Sequence, residues 1–323
     1  MNAKEKETIV IALGGNALSS PHGKGSIEEQ MEAIGRSCQQ IARIVRSGTR
    51  VVLTHGNGPQ VGQILIQQEQ AKGVVPPLPL DVCGAMTQGQ IGYLLQQALA
   101  QALRAEGLKV PVVTVVTQVV VSSGDPAFKE PTKPIGPFYS KSEAEWLHKS
   151  KGYVIKRMGS GHRAYRRVVP SPYPREIVEG RTICRLVTSE HVVIACGGGG
   201  VPVIREGGRL RGIEAVIDKD LASERLASAL GAQALMILTD VERVALHFGT
   251  PEQINLERLS VEEAKRYLAA GEFPSGSMGP KIEAAIRFLG NGGERAIITS
   301  LDRAQEALAG QAGTQIVRVQ QPT

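Results

Sequence analysis

The sequence predicts an α/β protein in which a largely parallel, open sheet is covered by helices on both faces. Short apolar runs rich in β-branched residues alternate with longer segments of helical periodicity, which is typical of parallel strands joined by helical crossovers. Glycine-rich or polar turns follow several of these runs, as expected where strands end at the rim of an open sheet. Residues 122–174 are rich in Pro, Gly, Lys and Arg and predict an inserted, protruding lid sub-domain.

The composition is that of a globular protein with a sizeable core. Of 323 residues, 42% are hydrophobic and 21% are charged, so disorder is not indicated and the length suits one large or two ordinary domains. No apolar run approaches the roughly 20 residues that span a bilayer, and residues 1–8 do not resemble a signal or transit peptide. We therefore expect a soluble, cytoplasmic protein without a membrane partner.

Cysteine usage and net charge limit the kinds of ligand. The four cysteines (Cys38, Cys83, Cys184 and Cys196) are scattered without a C-x-x-C pair, which favours reduced packing residues over disulfides or a zinc site. The formal net charge of +6 is spread along the chain, with no Lys/Arg block interleaved with aromatic residues, so a nucleic-acid partner is not expected. The positive bias suits an anionic small substrate, and ordinary solubility explains it as well.

The first predicted strand, residues 8–13, ends in the turn Gly14-Gly15-Asn16, and a polar loop follows over residues 19–25. The turn does not match the G-x-G-x-x-G dinucleotide pattern, and G-x-x-x-x-G-K-[ST] occurs nowhere in the sequence. Ser26, with a glutamate three residues later, then predicts a capping box at the start of a long helix.

The second predicted strand, residues 50–54, runs into another glycine turn, His55-Gly56-Asn57-Gly58. Ligands of open α/β sheets collect outside the carboxyl ends of strands, so both turns can flank one crevice. His55 fits a structural hydrogen-bonding role or a catalytic one, and a lone histidine beside glycines more often has the first.

The middle of the chain predicts an interface, a strand and a lid. The helix around residues 86–95 carries surplus apolar surface, which suggests a dimer interface. Residues 111–121 are strongly β-branched and predict a central strand. In the lid, three prolines within residues 131–138 stiffen the backbone around Lys133. Lys133 is therefore a candidate ligand-binding group, with a solvated surface charge as the alternative; the other basic residues of the insertion fit surface charges.

The stretch 196–227 carries the strongest phosphate-handling pattern. An apolar strand leads into four consecutive glycines, with Gly198 and Gly199 in the middle, whose bare amides can contact a small anion. Asp218, Lys219 and Asp220 then stand at the start of a predicted helix, where unsatisfied N–H groups and the helix dipole favour a negative ligand. A plain loop followed by an N-cap aspartate explains the same residues, so this stretch alone leaves both alternatives open.

The C-terminal part adds a polar turn and a third lysine. A strand ends at Thr239-Asp240, and a small-residue loop delivers Lys281 into the start of a helix. The helix dipole disfavours a cation there by about 0.3–1 kcal/mol, and an anionic ligand would remove the conflict. Apolar runs at residues 295–300 and 313–319 predict the last two strands.

Glycine turns, three lysines and a carboxylate at one rim suit phosphoryl transfer. The ammonium groups of Lys133, Lys219 and Lys281 would neutralise the transferred group, glycine amides would hold its oxygens, and Asp218 could fix the lysines in direction. A Mg²⁺ ion would be bound chiefly by nucleotide phosphates and water, so no protein metal ligands are expected.

Eight motifs, spread from one end of the chain to the other, resemble the carbamate kinase family within the amino-acid-kinase fold. They are ALGGNAL (12–18), THGNGPQVG (54–62), MTQGQIGY (86–93), PTKPIGPF (131–138), RRVVPSP (166–172), CGGGGVPV (196–203), GIEAVIDKDLAS (212–223) and GSMGPKIEAA (276–285). Several are long and unusual, so the resemblance is specific for the enzyme and not only for the fold.

The resemblance implies the reversible reaction ATP + carbamate = ADP + carbamoyl phosphate, used for ATP formation in arginine or related catabolism. It implies one α/β domain over residues 1–323, with an acceptor-binding N-terminal half and a nucleotide-binding C-terminal half, in a homodimer. The residues it places around carbamate and the phosphoryl group are Gly14, Gly15, Asn16, Gly56, Asn57, Gly58, Gly198 and Gly199. Those it assigns to catalysis are Lys133, Asp218, Lys219 and Lys281, and those along the nucleotide are Thr239, Asp240, Met278 and Lys281.

The sequence departs from the family pattern at two points. Asp240 stands where relatives carry glycine, and Tyr165 stands where an indole is common, which affects nucleotide detail and lid contacts. Two other functions fit the same fold: phosphoryl transfer to a carboxylate or phosphonate, and non-catalytic nucleotide or anion sensing. A crowded glycine pocket suits a tiny acceptor, and the combination of Asp218 with three lysines favours turnover over sensing.

Overall fold

The computed structural model describes residues 6–18, 26–274 and 276–318, without the side chain of Asn16. Its strands are β1 (Thr8–Leu13), β2 (Arg50–His55), β3 (Val112–Thr114), β4 (Gln118–Val120), β5 (Lys133–Ser140), β6 (Ile155–Arg157), β7 (Arg163–Val169), β8 (Glu176–Ile177), β9 (Val192–Ile194), β10 (Val201–Glu206), β11 (Arg209–Gly212), β12 (Ala234–Thr239), β13 (Val244–Leu246), β14 (Ile254–Leu256), β15 (Arg258–Ser260), β16 (Arg295–Ser300) and β17 (Thr314–Val317). Its α-helices are α1 (Ile27–Arg46), α2 (Gly58–Ala71), α3 (Leu80–Ala105), α4 (Lys141–Lys151), α5 (Gly180–Thr188), α6 (Lys219–Leu230), α7 (Val261–Ala269), α8 (Met278–Gly290) and α9 (Ala304–Leu308).

The main sheet has eight strands in the order β15-β17-β16-β12-β1-β2-β9-β3. The pairs from β16 through β3 are parallel, and β17 joins β16 in antiparallel pairing. The predicted open, largely parallel sheet is therefore confirmed. The predicted last strand lies inside the sheet, between β15 and β16, and its expected final residue, Val319, lies outside the described residues.

Helices cover both faces of the main sheet because its central strands are apolar on both sides. In β12, Leu235 and Ile237 face one core, where helices α5, α6, α7 and α8 pack. Ala234, Met236 and Leu238 face the other core, which is filled by α1, α3 and α9. A strand buried on both faces reads as a continuous apolar run, which is why the sequence marks these strands clearly.

Residues 111–121 do not form the single central strand that their β-branched composition predicts. They split into β3, at the edge of the main sheet, and β4, in a second sheet of order β11-β10-β4-β8. The break lies at Thr117, whose backbone N–H and carbonyl are both bound by the side chain of Gln88 on α3, at 2.8 and 3.1 Å. The Thr117 carbonyl also accepts the backbone N–H of Val201 on β10 at 2.9 Å, so the chain leaves the main sheet and enters the second sheet at this residue. Tertiary contacts override β-propensity here.

Residues 133–169 build a separate antiparallel sheet of order β5-β7-β6, with α4 packed on it. This unit lies within the stretch 122–174 that the sequence marks as an inserted lid, and its role as a lid stays a prediction. We refer to residues 133–169 as the lid sub-domain below.

Helix starts follow their sequence signals. Ser26 and Glu29 form the predicted capping box of α1, whereas the predicted polar loop at residues 19–25 lies outside the described residues. In the described ranges, the helices lack the combination of length and apolarity that a membrane span requires.

Candidate active site

Four turns meet at one edge of the main sheet. Strands β12, β1, β2 and β9 are neighbours and run parallel, so their carboxyl ends lie at the same rim. Gly14 follows β1, Gly56 follows β2, the glycine run follows β9 after two residues, and Asp240 follows β12. This strand order brings the predicted turns to one rim of the sheet, and that both glycine turns flank one crevice stays a prediction.

The glycine run after β9 packs tightly against two neighbouring segments. A Cβ on Gly198 would lie 2.2 Å from Nδ2 of Asn57, and one on Gly199 would lie 2.2 Å from the carbonyl oxygen of Ile217. Both glycines also have left-handed φ angles, 65° and 92°, which L side chains rarely adopt. Asn57 in turn donates to Oγ1 of Thr87 on α3 at 2.8 Å. Close packing and the left-handed φ angles therefore leave no room for side chains at Gly198 and Gly199.

Asp218 joins the lid sub-domain to the start of α6. Nζ of Lys133, the first residue of β5, donates to Oδ2 of Asp218 at 2.7 Å. The other carboxylate oxygen accepts the N–H of Asp220 at 2.9 Å, which makes Asp218 the N-cap of α6. One carboxylate thus holds both a lysine of the lid sub-domain and a helix terminus.

Asp220 binds the other two lysines of the site. Nζ of Lys219 donates to Oδ1 of Asp220 at 2.6 Å, and Nζ of Lys281 donates to Oδ2 at 3.1 Å. Burial alone would raise the pKa of Asp220, which is 3% exposed, but the two ammonium groups lower that pKa below its usual range. The prediction from the sequence is that Asp218 orients all three lysines. In the structure Asp218 contacts Lys133, and Asp220 contacts the other two.

Two of the lysines lie in the first turns of helices, where the dipole disfavours a cation. Lys219 is the first residue of α6, and Lys281 is the fourth residue of α8. The predicted place of Lys281 at a helix start is confirmed. The buried carboxylate of Asp220 offsets this conflict within the protein, and an anionic ligand would offset it further.

The charged residues line one cleft of about 640 Å³ between the sheet rim and the lid sub-domain. The candidate residues in its lining are Lys133, Asp218, Lys219, Lys281, Gly56, Asn57, Gly58 and Gly198. The three lysines therefore share a cavity and do not face unrelated surfaces.

Three other candidate glycines are not part of this lining as far as the described residues define it: Gly14, Gly15 and Gly199. A Cβ on Gly14 would lie 2.7 Å from the carbonyl oxygen of Leu238, so Gly14 lets the ends of β1 and β12 approach each other. The backbone of Asn16 is in a 3-10 turn beside Gly15, and its side chain lies outside the described residues. Contacts of these residues with a substrate stay predictions.

A second, smaller cavity of about 130 Å³ adjoins the cleft. It contains the candidate nucleotide-binding residues Thr239, Asp240, Met278 and Lys281. Its apolar wall includes Ala245, Phe248 and Phe273. Lys281 and Ser277 line both cavities, and the Lys281 ammonium group donates to Asp220 of the cleft.

His55 is a buried structural residue at the end of β2. Its side chain is 1% exposed, and Nδ1 donates to the carbonyl of Gly56 at 2.9 Å. Burial, with a smaller effect of Lys219, lowers the pKa of His55 to about 4. The neutral ring holds the glycine turn through its hydrogen bond to the Gly56 carbonyl. This geometry favours a structural role for His55 over a catalytic one.

Two residues of the cleft, Asp220 and Arg166, are not among the predicted site residues, although Asp220 is predicted at the helix start. For Asp220 the available signal is its position beside Lys219 in the first turn of a helix that Asp218 already caps. For Arg166 the signal is strand alternation, because Arg166 and Arg167 must point to opposite faces of β7. Arg167 pairs with Glu214, and Arg166 lines the cleft.

Comparison with known proteins identifies the class. The profile of the amino acid kinase family matches residues 7–300. The chain belongs to the amino acid kinase family.

Within that family, the similarity is to carbamate kinases. The carbamate kinase of Pyrococcus horikoshii is 53% identical over 312 residues, which cover 96% of this chain and 99% of the relative. That of Clostridium perfringens is 48% identical over 314 residues, with 96% and 99% covered. Among solved structures, carbamate kinase from Giardia lamblia bound to AMP-PNP superposes with a TM-score of 0.92 at 43% identity, covering 97% of this chain and 99% of that one.

Proposed function

We propose that this protein is an ATP-dependent phosphotransferase that catalyses ATP + carbamate = ADP + carbamoyl phosphate in both directions. The observation that carries the proposal is the convergence of Lys133, Lys219 and Lys281 on one cleft, where two carboxylates fix their ammonium groups. Relatives at about half identity over nearly the whole chain are carbamate kinases, which supports this acceptor.

The lysines supply the charge neutralisation that phosphoryl transfer requires. The migrating group spreads negative charge over three oxygens, and fixed cations stabilise it without reorganising during the reaction. Asp220 holds the ammonium groups of Lys219 and Lys281 close together, and Asp218 holds that of Lys133. These ammonium groups are therefore aligned before the substrate arrives.

The two cavities give the substrates separate places. The nucleotide base suits the smaller, partly apolar cavity beside Met278 and Asp240. The acceptor suits the cleft beside Gly56, Asn57 and Gly198, where bare backbone leaves room for a small molecule. Lys281 lines both cavities, which suits binding of the phosphoryl group as it passes between the leaving and entering oxygens.

Mg²⁺ fits this site as an ion carried by the nucleotide. In the described ranges, no group of three or more His, Cys, Asp or Glu side chains could hold a metal ion, and both cleft carboxylates already accept hydrogen bonds from ammonium groups. When bound to the nucleotide phosphates, the ion would add positive charge beside the phosphoryl group. The alignment of the acceptor remains the task of the protein groups described above.

A coupled assay tests the proposal: carbamoyl phosphate is mixed with Mg-ADP, and ATP formation is measured. We expect robust ATP formation by the wild-type protein. Lys133→Ala and Lys219→Ala should each lower turnover by about 10²–10³-fold, the loss typical of one removed transition-state donor. Lys149→Ala is the matched control, because this exposed lysine lies on α4 of the lid sub-domain and outside the cleft lining.

The same assay separates the alternatives. Absence of ATP from the wild-type protein would remove carbamate as the acceptor, and ADP formation from ATP with a carboxylate or phosphonate acceptor would then identify another phosphotransferase. Nucleotide binding without turnover on any acceptor would identify a sensor. Equal activity of Lys133→Ala, Lys219→Ala and Lys149→Ala would show that the cleft is not the reaction site.

We also propose a homodimer that forms through α3. This helix carries no charged residue between Asp81 and Arg104, and it exposes Val82, Met86 and Tyr93, the last with 61% exposure. Spacings of four and seven residues place these three side chains on one face. A monomeric mass in sedimentation equilibrium would contradict the proposal, and Tyr93→Glu should shift a wild-type dimer towards monomer.

Two further parts of the proposed role concern its setting. A cytoplasmic location is supported by the proposed use of ATP and ADP as substrates. The direction of ATP formation in arginine or related catabolism is implied by the family resemblance and stays a prediction.

A further inference from the structure

Arg166, on β7 of the lid sub-domain, differs from the other cations of the cleft in having no acidic partner. Lys133, Lys219 and Lys281 each donate to a carboxylate. Arg166 instead donates from Nη2 to the carbonyl of Gly136 at 2.9 Å, and its guanidinium stacks 5.2 Å from the ring centre of Phe138. Its Nε is shielded from solvent and has no hydrogen-bond partner.

The local backbone explains why the guanidinium is held in this place. The pairing of β5 with β7 slips between Ile135 and Phe138, which forms a β-bulge, and Gly136 in the bulge has a φ of 68°. The bulge provides the Gly136 carbonyl and the Phe138 ring, and Arg166 binds both. Bulges commonly re-aim side chains beside functional sites.

The charges of the cleft are unbalanced in the direction of an anionic ligand. Among the described residues of the lining, four cations (Lys133, Arg166, Lys219 and Lys281) face two carboxylates (Asp218 and Asp220). Desolvation lowers the pKa of Arg166 below its usual range, which reflects the cost of keeping this charge without a partner. A ligand with two negative charges would balance the cleft.

We propose that Arg166 is a substrate-binding residue whose guanidinium binds a phosphoryl oxygen of carbamoyl phosphate from the lid side of the cleft. The inference rests on the proposed function for the identity of the ligand. The guanidinium is suited to this contact because its planar donors match the oxygens of a phosphoryl group and its charge persists at every relevant pH.

Steady-state kinetics of Arg166→Gln and Arg166→Lys test the assignment. Loss of a charge-assisted hydrogen bond should raise the KM for carbamoyl phosphate by about 10- to 100-fold, while the KM for ADP stays within twofold. Arg166→Lys should recover part of the loss, because it restores the charge without the planar donors. Arg157→Gln is the matched control: it removes the same charge from an exposed position on β6, outside the cleft lining.

An unchanged KM for carbamoyl phosphate, or an equal rise in both KM values, would overturn the proposal. A second measurement does not depend on turnover: the rise in Tm caused by sulfate, a stand-in for the phosphoryl group. Sulfate should stabilise the wild-type protein and Arg157→Gln equally, and Arg166→Gln clearly less. Equal stabilisation of all three would refute the role of Arg166. If the wild-type protein made no ATP, the proposed function would fail, and the sulfate measurement would still decide whether Arg166 binds an anion.

Discussion

Replacing Asp220 by asparagine should damage both stability and turnover, because this carboxylate separates two ammonium groups that are largely buried. The variant keeps the shape of the side chain and removes its charge. Lys219 and Lys281, with side chains 15% and 14% exposed, then face each other without an anion. Removing one partner of a buried ion pair costs about 3–5 kcal/mol.

The expected change in melting temperature follows from this cost and the length of the chain. With an unfolding entropy of about 2.1 cal/mol/K per residue, a chain of 323 residues loses roughly 1.5 °C of Tm per kcal/mol, so Asp220→Asn should melt about 4–7 °C below the wild-type protein. Turnover should fall by about 10²-fold or more, since both lysines lose their alignment. Sulfate should restore part of the lost Tm, because it supplies the missing negative charge.

Differential scanning calorimetry and the coupled ATP assay measure these effects. Asp302→Asn is the matched control, because it removes an exposed carboxylate in the turn after β16. A variant Asp220→Asn with wild-type Tm and with turnover within twofold of wild type would show that the two lysines do not depend on the bridging carboxylate.

Two further predictions concern the residues beneath the cleft. The pKa of His55 falls from an ordinary 6.5 to about 4 on folding, so the unfolded chain binds the proton first as the pH drops. The free energy of unfolding should therefore decline by about 3 kcal/mol between pH 6.5 and pH 4. Chemical denaturation of His55→Gln should lack this part of the decline, and a pH dependence identical to that of the wild-type protein would contradict the buried neutral ring. Gly198→Ala forces a Cβ to within 2.2 Å of Nδ2 of Asn57, at a residue whose φ is 65°. We therefore expect a soluble but less stable protein with strongly reduced ATP formation. Wild-type activity of this variant would refute the tight packing of the glycine run.

The sequence predicts most of the fold because the relevant signals are local. Apolar runs buried on both faces mark β1, β2, β12 and β16, and glycine or polar turns mark the strand ends at the site. The split of residues 111–121 could not be predicted from composition, because it depends on Gln88, a residue far away in sequence that binds the backbone of Thr117.

The sequence predicts which lysines belong to the candidate site, but it does not predict which carboxylate each lysine contacts. Lys133, Lys219 and Lys281 stand in unusual local settings, and the structure brings them to one cleft. Which carboxylate each contacts depends on how the lid sub-domain and α8 pack against α6, a long-range outcome that local pattern does not contain. For that reason the contacts of Asp220 with two lysines and the position of Arg166 in the cleft are visible only in the three-dimensional structure.

The hydrogen bond between Lys133 and Asp218 has a consequence for substrate traffic. Before any ligand arrives, the lysine of the lid sub-domain already has an anion, and it is the same aspartate that caps α6. An incoming phosphorylated molecule would replace the Asp218 carboxylate as the partner of Lys133, and the hydrogen bond to Asp218 would form again when that molecule leaves. Entry and exit of the ligand would then exchange one anionic partner of Lys133 for another, so that its ammonium group keeps a partner throughout.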